Sequence, residues 1–214
     1  MKRKIIGFTL LFVGLVLISY AVAAKYVTYR RQQQMINSFE KDIKNVNENS
    51  INDNTANNNS DNNTANNNTI NNSDSSKDNS SDVISGVVGV MEIPKINLKA
   101  AIGEGVDMET LKCALGHFPG TAEPGEKGNF CVAGHRSYTY SEYFNRLNEV
   151  ANGDEITVEA KKGTYKYKVY DIKVVLPSEV SVLNTSEDAT LTLVTCTPPR
   201  IATHRLIVKA KLEN

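Results

Sequence analysis

The chain has 214 residues, a length that holds one domain of ordinary size with appendages and not two large ones. Its 24 Lys and Arg balance 24 Asp and Glu, so the strongly basic footprint of a nucleic-acid binder is absent. Partners have to be inferred from sites and not from net charge.

The N-terminus is the most legible piece. Lys2, Arg3 and Lys4 precede an apolar run from Ile5 to Ala24, and Lys25, Arg30 and Arg31 follow it. A hydrocarbon core about 30 Å thick takes about 20 apolar residues at about 1.5 Å each, and the run has that length. Residues 1–31 therefore read as an N-terminal membrane anchor with basic flanks. Ala21-Val22-Ala23 imitates a signal-peptide cleavage site, which keeps removal open as the alternative. The length of the run, Tyr20 and Tyr26 near its end and the basic residues after it favour retention. With both flanks basic, only the short N-terminal tail orients the span, toward N-in and C-out.

Residues 32–82 are expected to form a disordered Asn/Ser-rich linker. From about Asn45 to Asp82 the chain is almost all Asn, Ser, Asp and Thr, centred on TANNNSDNNTANNNTINNSD. So few apolar side chains cannot offset the entropy of ordering. Such a tether would hold a head at an adjustable distance from the membrane, with a root-mean-square span on the order of 35 Å.

The head, residues 83–214, is long enough for one modest core. Strands are expected at Gly86 to Ile93, Leu98 to Ile102, Phe130 to Ala133, Glu155 to Val158, Tyr165 to Val175, Thr190 to Cys196 and His204 to Leu212. A helical turn is expected at Val106 to Leu111, a loop at Gly116 to Asn129, and a short helix capped by Ser141 at Ser141 to Leu147. About eight short strands with turn residues between them predict an all-β fold, a closed barrel or a sandwich.

The chemistry concentrates in Thr190 to Val208. Alternation puts Leu191, Leu193 and Thr195 on one strand face and Thr192, Val194 and Cys196 on the other, and Thr197-Pro198-Pro199 stops the strand. Cys196 thus lies at a rigid, accessible strand end, although a small buried thiol is the common fate of a free cysteine. On the next strand Arg205 and Ile207 share one face, His204 and Leu206 the other. Only one of Arg205 and His204 can therefore face the thiol. Cys113 and Cys131 are the expected structural pair, leaving Cys196 as the spare thiol. A thiol nucleophile needs a base. Of His117, His135 and His204, the preferred candidate is His135, because Ala133-Gly134-His135-Arg136 follows a strand and its small residues allow close backbone approach.

Thr192-Leu193-Val194-Thr195-Cys196, then His204-Arg205-Leu206-Ile207-Val208, with Gly116-His117-Phe118-Pro119-Gly120-Thr121 and Gly128 to Arg136 upstream, resembles the sortase family of cell-wall transpeptidases. The resemblance covers the head and extends to the anchor. It implies an eight-stranded β-barrel with short helices, here preceded by a transmembrane helix and a disordered linker. It matches Cys196 to the nucleophile, His135 to the catalytic histidine and Arg205 to the arginine that stabilises the oxyanion. It matches Thr195 to a residue assisting substrate binding.

The implied reaction is cleavage of an LPxTG-type sorting motif between Thr and Gly, with a thioacyl intermediate resolved by a cell-wall precursor amine. Surface-protein substrates, that amine and the membrane are the implied partners, without nucleic acid. The implied location is the cell membrane of a Gram-positive type bacterium, single-pass, with the catalytic domain outside. At ordinary pKa values of about 8.5 for a thiol and about 6.5 for an imidazole, the ion pair is about a hundredfold rarer than the neutral pair, a cost near 2.7 kcal/mol.

Pilin-polymerising sortases carry an Asp-Pro-aromatic lid and a C-terminal membrane segment. This sequence shows neither, which points to an anchoring, class D-like sortase. No cofactor is expected. A calcium site, known in some relatives, is not assignable among Glu104, Asp107, Glu109, Glu123 and Glu126, and calcium dependence stays open. Two rivals remain: a secreted cysteine hydrolase releasing its acyl group to water, and a non-enzymatic membrane-tethered β-barrel binding module.

Overall fold

The computed structural model describes residues 2–52, 86–136 and 142–213. Its strands are β1 (Val87–Ile93), β2 (Leu98–Glu104), β3 (Leu115–His117), β4 (Gly128–Ala133), β5 (Glu155–Ala160), β6 (Gly163–Val175), β7 (Ala189–Thr197) and β8 (His204–Leu212). They close into a barrel in the order β1-β2-β3-β4-β7-β8-β6-β5, the expected all-β architecture. Two neighbouring pairs run parallel, β2 with β3 and β4 with β7. Closure through β1 and β5 depends on Gly89. A Cβ there would stand 2.6 Å from the Glu159 carbonyl oxygen, at the irregularity between Val87 and Gly89.

Side chains alternate across each strand, so one face of every strand fills the barrel. Met91 and Ile93 of β1, Phe130 and Val132 of β4, Leu191 and Leu193 of β7, and Leu206 and Val208 of β8 meet in this core. Each such burial contributes about 1.5–3 kcal/mol. Phe144 and Leu147 join them from a turn over 143–146 and a one-turn 3-10 helix at Leu147–Glu149. The helix expected over Ser141 to Leu147 is therefore a tight turn, and its Ser141 cap lies outside the described residues. β3 and the start of β4 fall in the stretch read as a loop. Three residues are too few to display an alternation. A short helix, α2 (Met108–Cys113), begins at Asp107, whose carboxylate accepts from the N–H groups of Glu109 (2.9 Å) and Thr110 (3.0 Å). These bonds hold the Asp107 carboxyl below its usual range.

The N-terminal helix departs furthest from expectation. It runs unbroken as α1 (Lys2–Asn52), and it is long and apolar enough to cross a membrane. The expectation of disorder from residue 32 is overturned for 32–52, which are helical. Gln32, Met35, Ile36 and Phe39 are buried against Val90 of β1, Ala101 of β2 and Ala114 after α2, on the outside of the barrel. The physical reason is a helical stripe at i, i+3, i+4 and i+7 that finds an apolar face to cover. The remainder of the expected linker, 53–82, lies outside the described residues.

A second layer covers the outer face of β4 and β7. Cys131, Thr190 and Thr192 point away from the core yet are buried, close to the 176–188 connection and its one-turn 3-10 helix (Val180–Leu183). Asn129 fastens this cover. Its Nδ2 donates to the carbonyls of Val182 and Asn184, both at 3.0 Å, and its Oδ1 accepts from Thr192 Oγ1 at 2.7 Å. Beyond Thr192 the same face opens, and Ala133, Val194 and Cys196 are partly exposed.

Candidate active site

Cys196 and Arg205 are direct cross-strand partners in the antiparallel pairing of β7 with β8. Partners of this kind share a face, with Cα atoms about 4.5–5.5 Å apart. Leu193 and Leu206 point into the core, so Cys196 and Arg205 both point outward. His204 pairs with Thr197 and takes the opposite face. The alternation expected from sequence thus resolves in favour of the guanidinium. Arg205 is held from behind, its Nη1 donating to the carbonyls of His204 (3.1 Å) and Ala202 (3.2 Å).

The parallel ladder of β4 on β7 delivers His135. Ala133 stands beside Val194, and the Gly134 N–H donates to the Val194 carbonyl at 3.1 Å. Two further residues along both chains bring His135 to the level of Cys196. Gly134 is required for the approach, because a Cβ there would lie 2.5 Å from Phe144 and 2.8 Å from Leu115. The His135 carbonyl accepts from the Phe144 N–H at 3.1 Å, which locks the following turn onto it. Partial burial pushes the imidazole below its ordinary value, because the charged form loses hydration.

Thr195 stands differently from its expected role. Its side chain is 2% exposed, faces the barrel interior, and donates through Oγ1 to the Gly134 carbonyl at 2.7 Å. It ties the strand of Cys196 to the segment that carries His135 and does not line the outer face that Cys196 and Arg205 share.

Arg136 is a residue that sequence reasoning quoted without a role. Its Nη1 donates to Thr197 Oγ1 (3.0 Å), its Nε to the Asn145 carbonyl (3.3 Å) and its Nη2 to Asn148 Oδ1 (2.6 Å). It therefore connects the residue after His135 to the residue after Cys196. The available signal was its place between the histidine and an all-polar stretch. Asn129 was also missed, and its signal was a lone amide at the start of an apolar strand.

The arrangement is a thiol, a guanidinium and an imidazole of lowered basicity at one rim of a β-barrel. Residues 91–213 match the sortase-domain family model. The chain belongs to the sortase family. It is 32% identical over 111 residues to Sortase D of Bacillus subtilis (51% of this chain, 54% of the relative). It is 30% identical over 127 residues to Sortase A of Listeria monocytogenes (59% and 57%). A solved structure of a Clostridium perfringens Sortase D5 transpeptidase superposes with a TM-score of 0.56 at 38% identity, covering 60% of this chain and 79% of that one. The chain spans a little over half the length of these two curated relatives.

The remaining candidates of this sortase have structural work. His117 is 2% exposed beside Phe130, with Nδ1 2.7 Å from Glu104 Oε2 and Nε2 2.9 Å from Thr121 Oγ1. His204 Nδ1 meets Thr203 Oγ1 at 3.0 Å. The expected Cys113–Cys131 pair is not formed, since all three cysteines are free. Cys113 ends α2 beside Arg31 of α1, whereas Cys131 lies under the outer cover with Sγ 3.5 Å from the Asn129 carbonyl. The two side chains serve different layers, and burial pushes the Cys131 thiol up to about 12.

Ligand atoms of Glu104, His117 and Glu123 lie within 4.8 Å of one another. Both ring nitrogens of His117 are already engaged within the protein. Of the other carboxylates considered for calcium, Asp107 caps α2 and Glu126 pairs with Lys162 at 2.7 Å.

Proposed function

We propose that this sortase is a membrane-anchored, class D-like cysteine transpeptidase that cleaves an LPxTG-type motif between Thr and Gly. In this reading it joins the acyl fragment to a cell-wall amine and so attaches surface proteins. The observation that carries the reading is the outward pairing of Cys196 with Arg205 and the register that brings His135 alongside.

His135 takes the thiol proton as Cys196 Sγ bonds to the threonine carbonyl carbon, and Arg205 offsets the charge on the oxyanion. The C–N bond then breaks, the leaving glycine amine takes the proton from His135, and a thioester remains. An incoming amine adds to that carbonyl and gives a proton to His135. The C–S bond breaks, and the thiol is restored. Ala133 and Val194, small and apolar on the open part of the β4–β7 face, suit the leucine and proline of such a motif. We assign no cofactor to the reaction. The apolar part of α1 supports a location in the cell membrane in this reading, with an N-in span and the barrel outside.

The test is a sorting peptide incubated with the full-length protein, with and without an added amine such as triglycine. A thioacyl adduct on Cys196 and an amine-dependent ligated product are expected. Hydrolysis that is indifferent to amine would establish a cysteine hydrolase instead, and the absence of any adduct would leave a binding module.

A further inference from the structure

The juxtamembrane half of α1 changes environment at one point. Residues 11–31 are exposed on nearly all sides. From Gln32 (6% exposed) through Phe39 (2%) one face of the helix is buried. The receiving surface is made of Val90, Ala101 and Ala114. The two alanines leave room for the larger Met35, Ile36 and Phe39, and without the helix this face would be an apolar patch in water.

The polar groups at this interface are matched as well. With its amide nitrogen turned toward Tyr143 Oη and the Cys113 carbonyl (2.8 Å), Gln32 accepts from the Ala101 N–H at 3.2 Å. β3 pairs with β2 only from Ile102 onward. Glu40 of α1 meets Lys99 of β2 at 3.1 Å, and Lys25 meets Glu142 at 2.6 Å. Both ion pairs are half exposed, so they set register more than stability.

Lys25 is the first residue after the apolar run, where a spanning helix meets the headgroups. Glu142 is therefore at that level too. Phe144, two residues on and about 7 Å along an extended chain, donates its N–H to the His135 carbonyl.

We propose that α1 is a rigid strut and not a tether: residues 32–43 dock on the barrel and hold the turn bonded to His135 against the lipid surface. The active-site rim then sits at a fixed, short height above the bilayer, where membrane-bound chains emerge. The inference rests on the membrane reading of α1 but not on the transpeptidase reading.

The test uses the full-length protein in liposomes, with flotation as its first measurement. Failure to float with the liposomes would overturn the membrane reading. In protein that floats, a zero-length carbodiimide cross-link should join Lys25 to Glu142, read by mass spectrometry and lost in Lys25→Gln. Hydrogen exchange at 32–43 should be at least tenfold slower than in Ile36→Asp/Phe39→Asp, while β7 and β8 exchange alike in both proteins. Floating protein with no cross-link, and with the same exchange at 32–43 in both proteins, would overturn the strut. Neither outcome depends on the sorting-peptide assay.

Discussion

Thr195 donates its hydroxyl to the carbonyl of Gly134 across 2.7 Å, so the residue before Cys196 holds the residue before His135. Thr195→Val keeps the shape and removes the donor, leaving a buried carbonyl without its partner. A loss of about 1–3 kcal/mol is expected, read by denaturant unfolding. A fall in kcat with KM nearly unchanged should accompany it, because the acyl-transfer geometry loosens while the outer face is untouched. Thr195→Ser should restore most of both.

Arg136 makes the corresponding bond on the rim, from the histidine's neighbour to the cysteine's neighbour. Arg136→Ala should lower kcat/KM by about tenfold or more, in line with the sensitivity of acyl transfer to misplacement of about 1 Å. Arg136→Lys should recover only part, since one ammonium cannot reproduce a fork that spans Thr197, Asn145 and Asn148. Wild-type activity in Arg136→Lys would show that charge alone matters, and not the fork.

The catalytic assignment separates five side chains by alanine substitution. Cys196→Ala and His135→Ala should each lose several orders of magnitude in peptide cleavage. Arg205→Ala should lose about 10²–10³, the range for removing one oxyanion donor. His204→Ala should stay near wild type. His117→Ala should lower the unfolding midpoint, because it strips the buried partner of Glu104 and Thr121. An inactive but stably folded His204→Ala would reassign the base.

Titration of His135 followed by ring-proton NMR should give a midpoint below the ordinary histidine value of about 6.5, because burial disfavours the imidazolium. The folded-state value then lies under the unfolded one, and between the two the unfolded chain binds the extra proton. His135 accordingly contributes stability that is complete above the ordinary value and is lost as pH falls through the folded one. A midpoint above the ordinary value would mean that a carboxylate or thiolate, and not burial, governs the ring.

Much of the site was legible because it depends on period-two alternation. That pattern alone separates Arg205 from His204, and it also puts Thr195 with Leu191 and Leu193 on the inward face. The family resemblance drew Thr195 toward substrate, whereas the alternation already pointed it to the core. Arg136 was not legible, since its acceptors sit at residues 145, 148 and 197 and only the closed barrel brings them together. The docking stripe on α1 was hidden by its neighbourhood. Met35, Ile36 and Phe39 run straight into an Asn-rich tract whose composition dominates any window that includes them. The Cys113–Cys131 expectation counted thiols, and counting does not reveal that one faces α1 while the other lies beneath the 176–188 connection.

Cys131 offers a use of that burial. Its thiol stays protonated and covered while Asn129 keeps the connection closed, so a thiol reagent can reach it only when the cover lifts. The partly exposed Cys113 and Cys196 react first, and the slower uptake at Cys131 becomes a stopwatch for how often this wall of the barrel opens.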